Sequence, residues 1–311
     1  MKSLRTIGVA GTLFTLSAVA HAQTANTQAD SRDYEGLSLV PNNTVVALGY
    51  GRHVSTADTQ SFSEDLGILR ALYILKFGNL ALVPVDLVLP VVDATVYVPT
   101  ATKGVVDTLH ASGVADLTWQ PTIGYTIPEN DTTHTYFAGT LYVTAPTGSY
   151  SAFQPVNLGD NRWRTQPNIA IGQRFLKRVT AELVSGVAFY TANPAFGTAM
   201  GTFILKQNPT IGFEAHVGVD VSPTLWVGGS YYVAAAGQRT LTAGTASVLF
   251  EPEQTTQTLR FTFGIHIEKS STLLLQYNQD IAVTAPAGAA DPLPATLSRF
   301  VGVRFSHAVF L

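Results

Sequence analysis

The chain has no cysteine, which excludes disulfide staples, thiolate metal sites and anchoring through a lipidated cysteine. Charge is scarce as well. Only 13% of residues are Asp, Glu, Lys or Arg, well below the roughly 25% of ordinary soluble domains. The net charge is −3 with no basic stripe, so nucleic acid is not an expected partner. Past the N-terminus there is no uninterrupted apolar run of about 18 residues, the length a transmembrane helix needs. The best candidate, Leu80–Val92, carries Pro84, Asp86 and Pro90. No G-x-S-x-G elbow and no nucleotide-binding loop occur. Yet 46% of residues are hydrophobic, and that surface must be covered by something other than helices.

The N-terminus reads as an export signal. Lys2 and Arg5 precede an apolar stretch from Ile7 to Val19, and Ala20-His21-Ala22 supplies a small-x-small cleavage site. Residues 1–22 are therefore expected to be removed between Ala22 and Gln23. Residues 23–43 carry Tyr34, Leu37 and Leu39 among polar neighbours. They form a segment placed to plug or line the periplasmic mouth of the fold built by residues 44–311.

From residue 44 to the end, character alternates residue by residue. In TTQTLRFTFGIHIE (255–268), Leu259, Phe261, Phe263, Ile265 and Ile267 share one face, with Arg260, Thr262, His266 and Glu268 on the other. Side chains on a strand alternate with period two, so each such segment has an apolar and a polar face. Twelve segments qualify: Thr44–His53, Gly67–Phe77, Leu80–Val92, Gly113–Ile127, His134–Ala145, Trp163–Phe175, Arg178–Thr191, Asn208–Val221, Thr224–Ala236, Thr255–Glu268, Ser271–Val283 and Leu297–Val309. Tight turns (Gly78-Asn79, Pro128 to Asp131, Leu176-Lys177, Ser222-Pro223, Lys269-Ser270) alternate with long loops (Val54–Leu66, Asp93–Ser112, Pro146–Arg162, Ala192–Gln207, Gly237–Gln254, Thr284–Thr296). Leu176-Lys177 is the one tight turn without turn-forming residues. An even number of strands with turn lengths sorted this way predicts an all-β, antiparallel, outer-membrane transmembrane β-barrel, termini and short turns in the periplasm. Such a closed wall satisfies every backbone polar group in lipid.

Alternation then assigns faces. Ile211, Phe213, Val217, Val219 and Val221 are expected to meet lipid, as are Val179, Leu183, Val187 and Phe189. Trp119, Tyr125, Trp163, Phe175, Trp226, Tyr231, Tyr277 and Phe305 are candidates for interfacial girdles. The candidate solute path is lined by Arg70, Asp116, Arg164, Arg174, Glu182, Glu214, His216, Asp220, Arg260, His266, Glu268 and Arg304. Both signs occur, so a paired electrostatic network that narrows the bore competes with a solute-guiding lining. No triad of nucleophile, base and orienting group is evident, and no metal or cofactor is expected.

Residues 145–175, APTGSYSAFQPVNLGDNRWRTQPNIAIGQRF, carry the most distinctive motif. Pro146, Gly148 and Tyr150 lead into the loop; Leu158, Gly159, Asn161 and Trp163 lead out, and Pro167 lies in the next strand. The glycines are read as taking dihedrals closed to other residues, which suits a compact, inward-folding loop. This arrangement resembles the outer-membrane family of the meta-pathway of phenol degradation, the SphA-like transporters, where a P-x-G-x-Y element and a Leu-Gly-x-Asn-x-Trp element precede a proline-containing strand. The terminal strand (Val301, Val303, Phe305, His307, Val309) also resembles those read by the barrel assembly machinery, although Phe310 is penultimate. The resemblance implies a channel for passive uptake of small hydrophobic or aromatic solutes, held among outer-membrane lipid and lipopolysaccharide. A barrel-embedded phospholipase or protease, and a closed structural or adhesive barrel, are the alternatives.

Overall fold

The computed structural model describes residues 16–17, 34–35, 43–56, 61–99, 106–130, 133–154, 156–198, 201–268, 270–284 and 297–310. Twelve staves form the wall: β1 Asn43–Thr56, β2 Ser61–Phe77, β3 Leu80–Pro99, β4 in three pieces (Val106–Val114, Thr118–Trp119 and Thr122–Asn130), β5 Thr133–Thr144, β6 Arg164–Phe175, β7 Val179–Tyr190, β8 Thr210–Ser222, β9 Leu225–Ala236, β10 Gln254–Glu268, β11 Ser271–Thr284 and β12 Leu297–Phe310. Every neighbouring pair is antiparallel. The ring closes because β1 pairs with β12 from Asn43↔Phe310 to Thr56↔Leu297, while β6 pairs with both β5 and β7. The predicted antiparallel barrel is the observed one.

Exposure follows residue parity. Along β6 the pattern alternates strictly from Arg164 to Gly172, with Ile169 and Ile171 outward and Arg164, Gln166, Asn168 and Ala170 buried. Burial of polar groups beside a ring of exposed Ile, Val, Leu and Phe inverts the usual soluble arrangement. Water, hydrogen bonds and paired charges suit the interior; hydrocarbon suits the outside.

Several connections differ from the sequence expectation. Most of 54–66 and 93–112 is strand, because β2 and β3 continue as a long ladder to Ser61↔Tyr97. The segments 192–207 and 237–254 are not open loops. Asn193–Thr198, Gly201–Gln207, Arg239–Ala243 and Ala246–Glu251 form a four-stranded antiparallel sheet above the barrel, around a small core of Phe196, Leu205 and Leu241. Leu176 and Lys177 both take the left-handed conformation (φ 51° and 61°), and Arg178 N–H bonds Phe175 O at 3.0 Å. That geometry is the hairpin turn matching strand twist, here built from residues that disfavour it.

Trp226 is corrected too. It is 5% exposed and packs inward over Gly264, where a Cβ would come within 2.1 Å of its indole nitrogen. Its parity on β9 matches Ser230 and Tyr232, not Tyr231, so it belongs to the filled interior. Trp119, Trp163, Tyr125, Phe175, Tyr277 and Phe305 do face outward.

Candidate functional site

The wall of the lumen is wired by charge and hydrogen bonds from strand to strand. Arg70 on β2 grips Asp86 on β3 through Nε and Nη2, at 2.9 and 2.7 Å. On the opposite wall, His216 Nδ1 lies 2.8 Å from Ser230 Oγ and its Nε2 is 3.2 Å from Glu214 and 4.0 Å from Glu182. Tyr136 donates to Glu182 Oε2 at 2.9 Å. Arg260 donates to Asn278 at 2.9 Å and lies 4.7 Å from the centroid of the Tyr232 ring. These residues are nearly all buried, which is tolerable only because their charges and donors meet partners.

Two residues of the N-terminal segment lie inside this wall. Tyr34 packs with Tyr136, Ala138, Ala170 and Val184, and its hydroxyl is 3.4 Å from that of Tyr142. Glu35, 1% exposed, accepts from Arg174 at 2.6 Å and from Thr180 at 3.0 Å, with His134 3.9 Å away. Arg174 also holds Asp220. One guanidinium thus ties the N-terminal segment to β8.

The end of the barrel opposite the short turns is shaped by residues 145–163. Stave β4 breaks at 115–117, and its first piece, Val106–Val114, pairs with β3 alone. The loop fills the vacant edge. Ser149 N–H reaches Val114 O at 3.3 Å, and Leu158 and Gly159 N–H both bond Ser149 O at 3.0 Å. Asp116, exposed by the break, accepts from Gly148 N–H and Asp160 N–H, each at 2.8 Å. Leu158 and Val156 insert among Leu66, Val92, Ala94, Val96 and Ala115. Leu16–Ser17 pairs in parallel with Val156–Asn157, a pairing that removal of residues 1–22 would abolish.

Gly148 and Gly159 are needed for closeness rather than for a left-handed backbone, because neither has positive φ. A Cβ on Gly148 would sit 2.9 Å from Gly159 Cα, and one on Gly159 would sit 2.7 Å from Gly148 O. The left-handed residue is Asn161 (φ 52°), a type that tolerates it. Asn161 donates to Asn193 at 2.9 Å, and Asn193 donates to the Tyr150 hydroxyl at 2.9 Å and to Asp160 O at 3.1 Å. Tyr150 completes the tie with Ala195 O at 3.1 Å. Burial raises the Tyr150 hydroxyl above its ordinary pKa, partly offset by the bond from Asn193. The inward-folding loop is thereby bolted to the sheet above it.

Of the sequence-predicted residues, Glu182, Glu214 and His216 converge, as do Arg174 and Asp220, and Asp116 joins the loop motif. Arg164, Arg260, Arg70 and Arg304 lie on the inward parity. His266 stands apart: it is exposed near the turn and 3.1 Å from Thr272 Oγ1. The Glu268 side chain lies outside the described residues. Within the motif, Pro146, Gly148, Tyr150, Leu158, Gly159 and Asn161 gather at the mouth, whereas Trp163 and Pro167 face outward. Pro167 has no N–H, and the β6–β7 pairing is interrupted between Thr165 and Asn168. Sequence reasoning missed Glu35, Asp160, Arg162, Asn193, Ser230 and Arg239. Asp160 and Arg162 stand inside the quoted loop motif without being singled out, parity could have found Ser230, two residues from Tyr232, and nothing local marked Glu35, Asn193 or Arg239.

The model of the family described as Putative MetA-pathway of phenol degradation matches residues 39–290, extending the likeness read from the loop motif to most of the chain. Among solved structures, the COG4313 outer membrane channel from Pseudomonas putida F1 is similar over 91% of this chain and 100% of its own, with TM-score 0.74 and 21% identity. That likeness shows the fold. The TodX monoaromatic hydrocarbon channel deltaS2 mutant (TM-score 0.48, 8% identity, 88% and 91% covered) and the CymD monoaromatic hydrocarbon channel (0.43, 9%, 98% and 100%) are more distant. No curated protein matches.

Proposed function

Given that the chain belongs to the family described as Putative MetA-pathway of phenol degradation, we propose that it is an outer-membrane channel for passive passage of small apolar or aromatic solutes. The observation that carries this reading is a closed twelve-stave wall, greasy outside and polar inside. Only hydrocarbon explains the exposed apolar ring. Lipid and lipopolysaccharide surround the wall, and the alternating β12 is the strand offered to the barrel assembly machinery. No nucleotide motif is present to power a pump, so the solute gradient drives flux.

In this reading the termini face the periplasm and Gln23 starts the mature chain. Residues 23–43 plug the periplasmic side, held by the bonds of Glu35. The loop 145–163 narrows the outer mouth. Selectivity then comes from bore width and lining groups. Two measurements test it. A deletion strain should take up labelled phenol more slowly than its parent; equal rates reject the proposal. Removing residues 23–43 should raise single-channel conductance, and an unchanged trace rejects the plug.

A hydrolase reading has one observation in its favour, the Ser230, His216 and Glu214 set on β8 and β9. Against it, Ser230 is 4% exposed, which leaves an acyl carbonyl no approach to Oγ. Phospholipid or peptide turnover by purified protein, lost in Ser230→Ala, would overturn the channel reading. Zero conductance from a correctly folded barrel would instead favour a structural or adhesive role.

A further inference from the structure

At the end of the barrel that carries the short turns, four staves contribute polar groups around one residue of the N-terminal segment. Glu35, buried, is held by Arg174 of β6 at 2.6 Å and by Thr180 of β7 at 3.0 Å. Asp220 of β8 takes another nitrogen of the same guanidinium. His134 of β5 stands directly across the ladder from Arg174, and its Nε2 lies 3.9 Å from Glu35 Oε1. The His134 side chain is 15% exposed and that of Asp220 21%, so salt and water screen this cluster little. Lys177 and Arg178, in the adjoining turn, are exposed and screened. Tyr136, its ring 6.2 Å from the imidazole, gives its hydroxyl to the next carboxylate, Glu182, at 2.9 Å. Among the described groups gathered around Glu35, two carboxylates therefore share one permanent cation. One negative charge is left over while the imidazole is neutral, and none once it is protonated.

Resting on the plug reading, we propose that His134 is a proton-operated latch: protonated, it fastens the N-terminal segment inside the barrel; neutral, it lets that segment loosen, so the channel closes in mild acid. A histidine ordinarily changes charge near pH 6.5, whereas carboxylates keep theirs down to about pH 4. Between those limits the imidazolium supplies the missing positive charge beside a buried carboxylate. The attraction favours the docked segment, is complete below the histidine range and is lost as pH rises through it. Below about pH 4 the carboxylates are neutralised in turn and the latch fails again, which gives a closed window rather than a single step. Arg174 alone cannot produce this behaviour, because a guanidinium stays charged throughout. An opposite charge within about 4–6 Å moves an ionisation equilibrium about tenfold or more. By linkage, the ratio of docked to released segment changes by the same factor.

The test records the single-channel open probability of the refolded full-length protein between about pH 3.5 and pH 8, folding being checked by heat-modifiable gel mobility. Open probability should be about tenfold lower near pH 5.5 than near pH 8, and should rise again below about pH 4. His134→Gln should hold its pH 8 level down to about pH 5.5, while His134→Lys, which keeps its charge, should stay closed across that range. His216→Gln, which removes another buried imidazole, should keep the tenfold ratio whatever its absolute conductance. Equal open probability near pH 5.5 and pH 8, a full response surviving in folded His134→Gln, or a response lost in folded His216→Gln overturns the proposal. If His134→Gln does not fold, the protein lacking residues 23–43 decides, since a pH response that survives without the segment cannot come from the latch. A deletion that raises conductance, beside a native protein indifferent to pH, sinks this inference alone; a deletion that changes nothing sinks the plug reading with it.

Discussion

Asp116→Ala should open the outer mouth without unfolding the barrel. The carboxylate accepts two backbone N–H groups, from Gly148 and Asp160, and these fasten both limbs of the loop to the break in β4. Each bond to a charged acceptor contributes roughly 1.5–3 kcal/mol, so removing both withdraws about 3–6 kcal/mol from the closed loop. Leu158, 2% exposed, opposes opening with roughly 1.5–3 kcal/mol of apolar burial. The wall itself loses little, because Ala115 N–H still bonds Pro90 O and Ala145 N–H still bonds Leu117 O. A net shift of about 3 kcal/mol multiplies the open fraction more than a hundredfold. Trypsin cleavage after Arg162 should therefore accelerate by that order, with larger or noisier single-channel conductance. Asp116→Asn, which keeps one acceptor oxygen, should show roughly half the effect in free energy. If Asp116→Ala is cut at the wild-type rate and conducts identically, the carboxylate is not what holds the loop.

Replacing Leu176-Lys177 by Asn-Gly should stabilise the barrel by roughly 1–2 kcal/mol, since both residues are left-handed there; urea unfolding in vesicles measures this, and an unchanged or lower midpoint refutes it. Gly172→Ala should destabilise by about 1–3 kcal/mol, because the new Cβ would lie 2.2 Å from Tyr136 Cζ while the hydroxyl is fixed by Glu182. Combining it with Tyr136→Ala should recover part of that loss in a double-mutant cycle, and simple additivity would argue against the clash. Glu35→Gln weakens the grip of Arg174 and Thr180 on the N-terminal segment, so conductance should rise while the thermal midpoint of the wall stays near wild type; a fall in midpoint with unchanged conductance would mean that Glu35 serves the wall instead.

What the sequence determined by itself was the wall. Period-two alternation is a local property, so parity alone sends Ile211 or Phe261 to hydrocarbon and Arg164 or Glu214 inward, and a slip of one residue would reverse every face. Parity would also have placed Trp226 inside, had its neighbours Ser230 and Tyr232 been weighed over its size. Only the tertiary structure decided what the interior and the mouth are. Glu35 meets Arg174 at a sequence separation of 139 and Asp116 meets Asp160 at 44, contacts that exist only once the ring has closed and the loop has folded into the gap left by β4. The same closure turned Gly148 and Gly159 from expected dihedral specialists into places where two backbones nearly touch. Alternation is written residue by residue. Convergence depends on which staves become neighbours and where one of them breaks, and no short window of the chain encodes that.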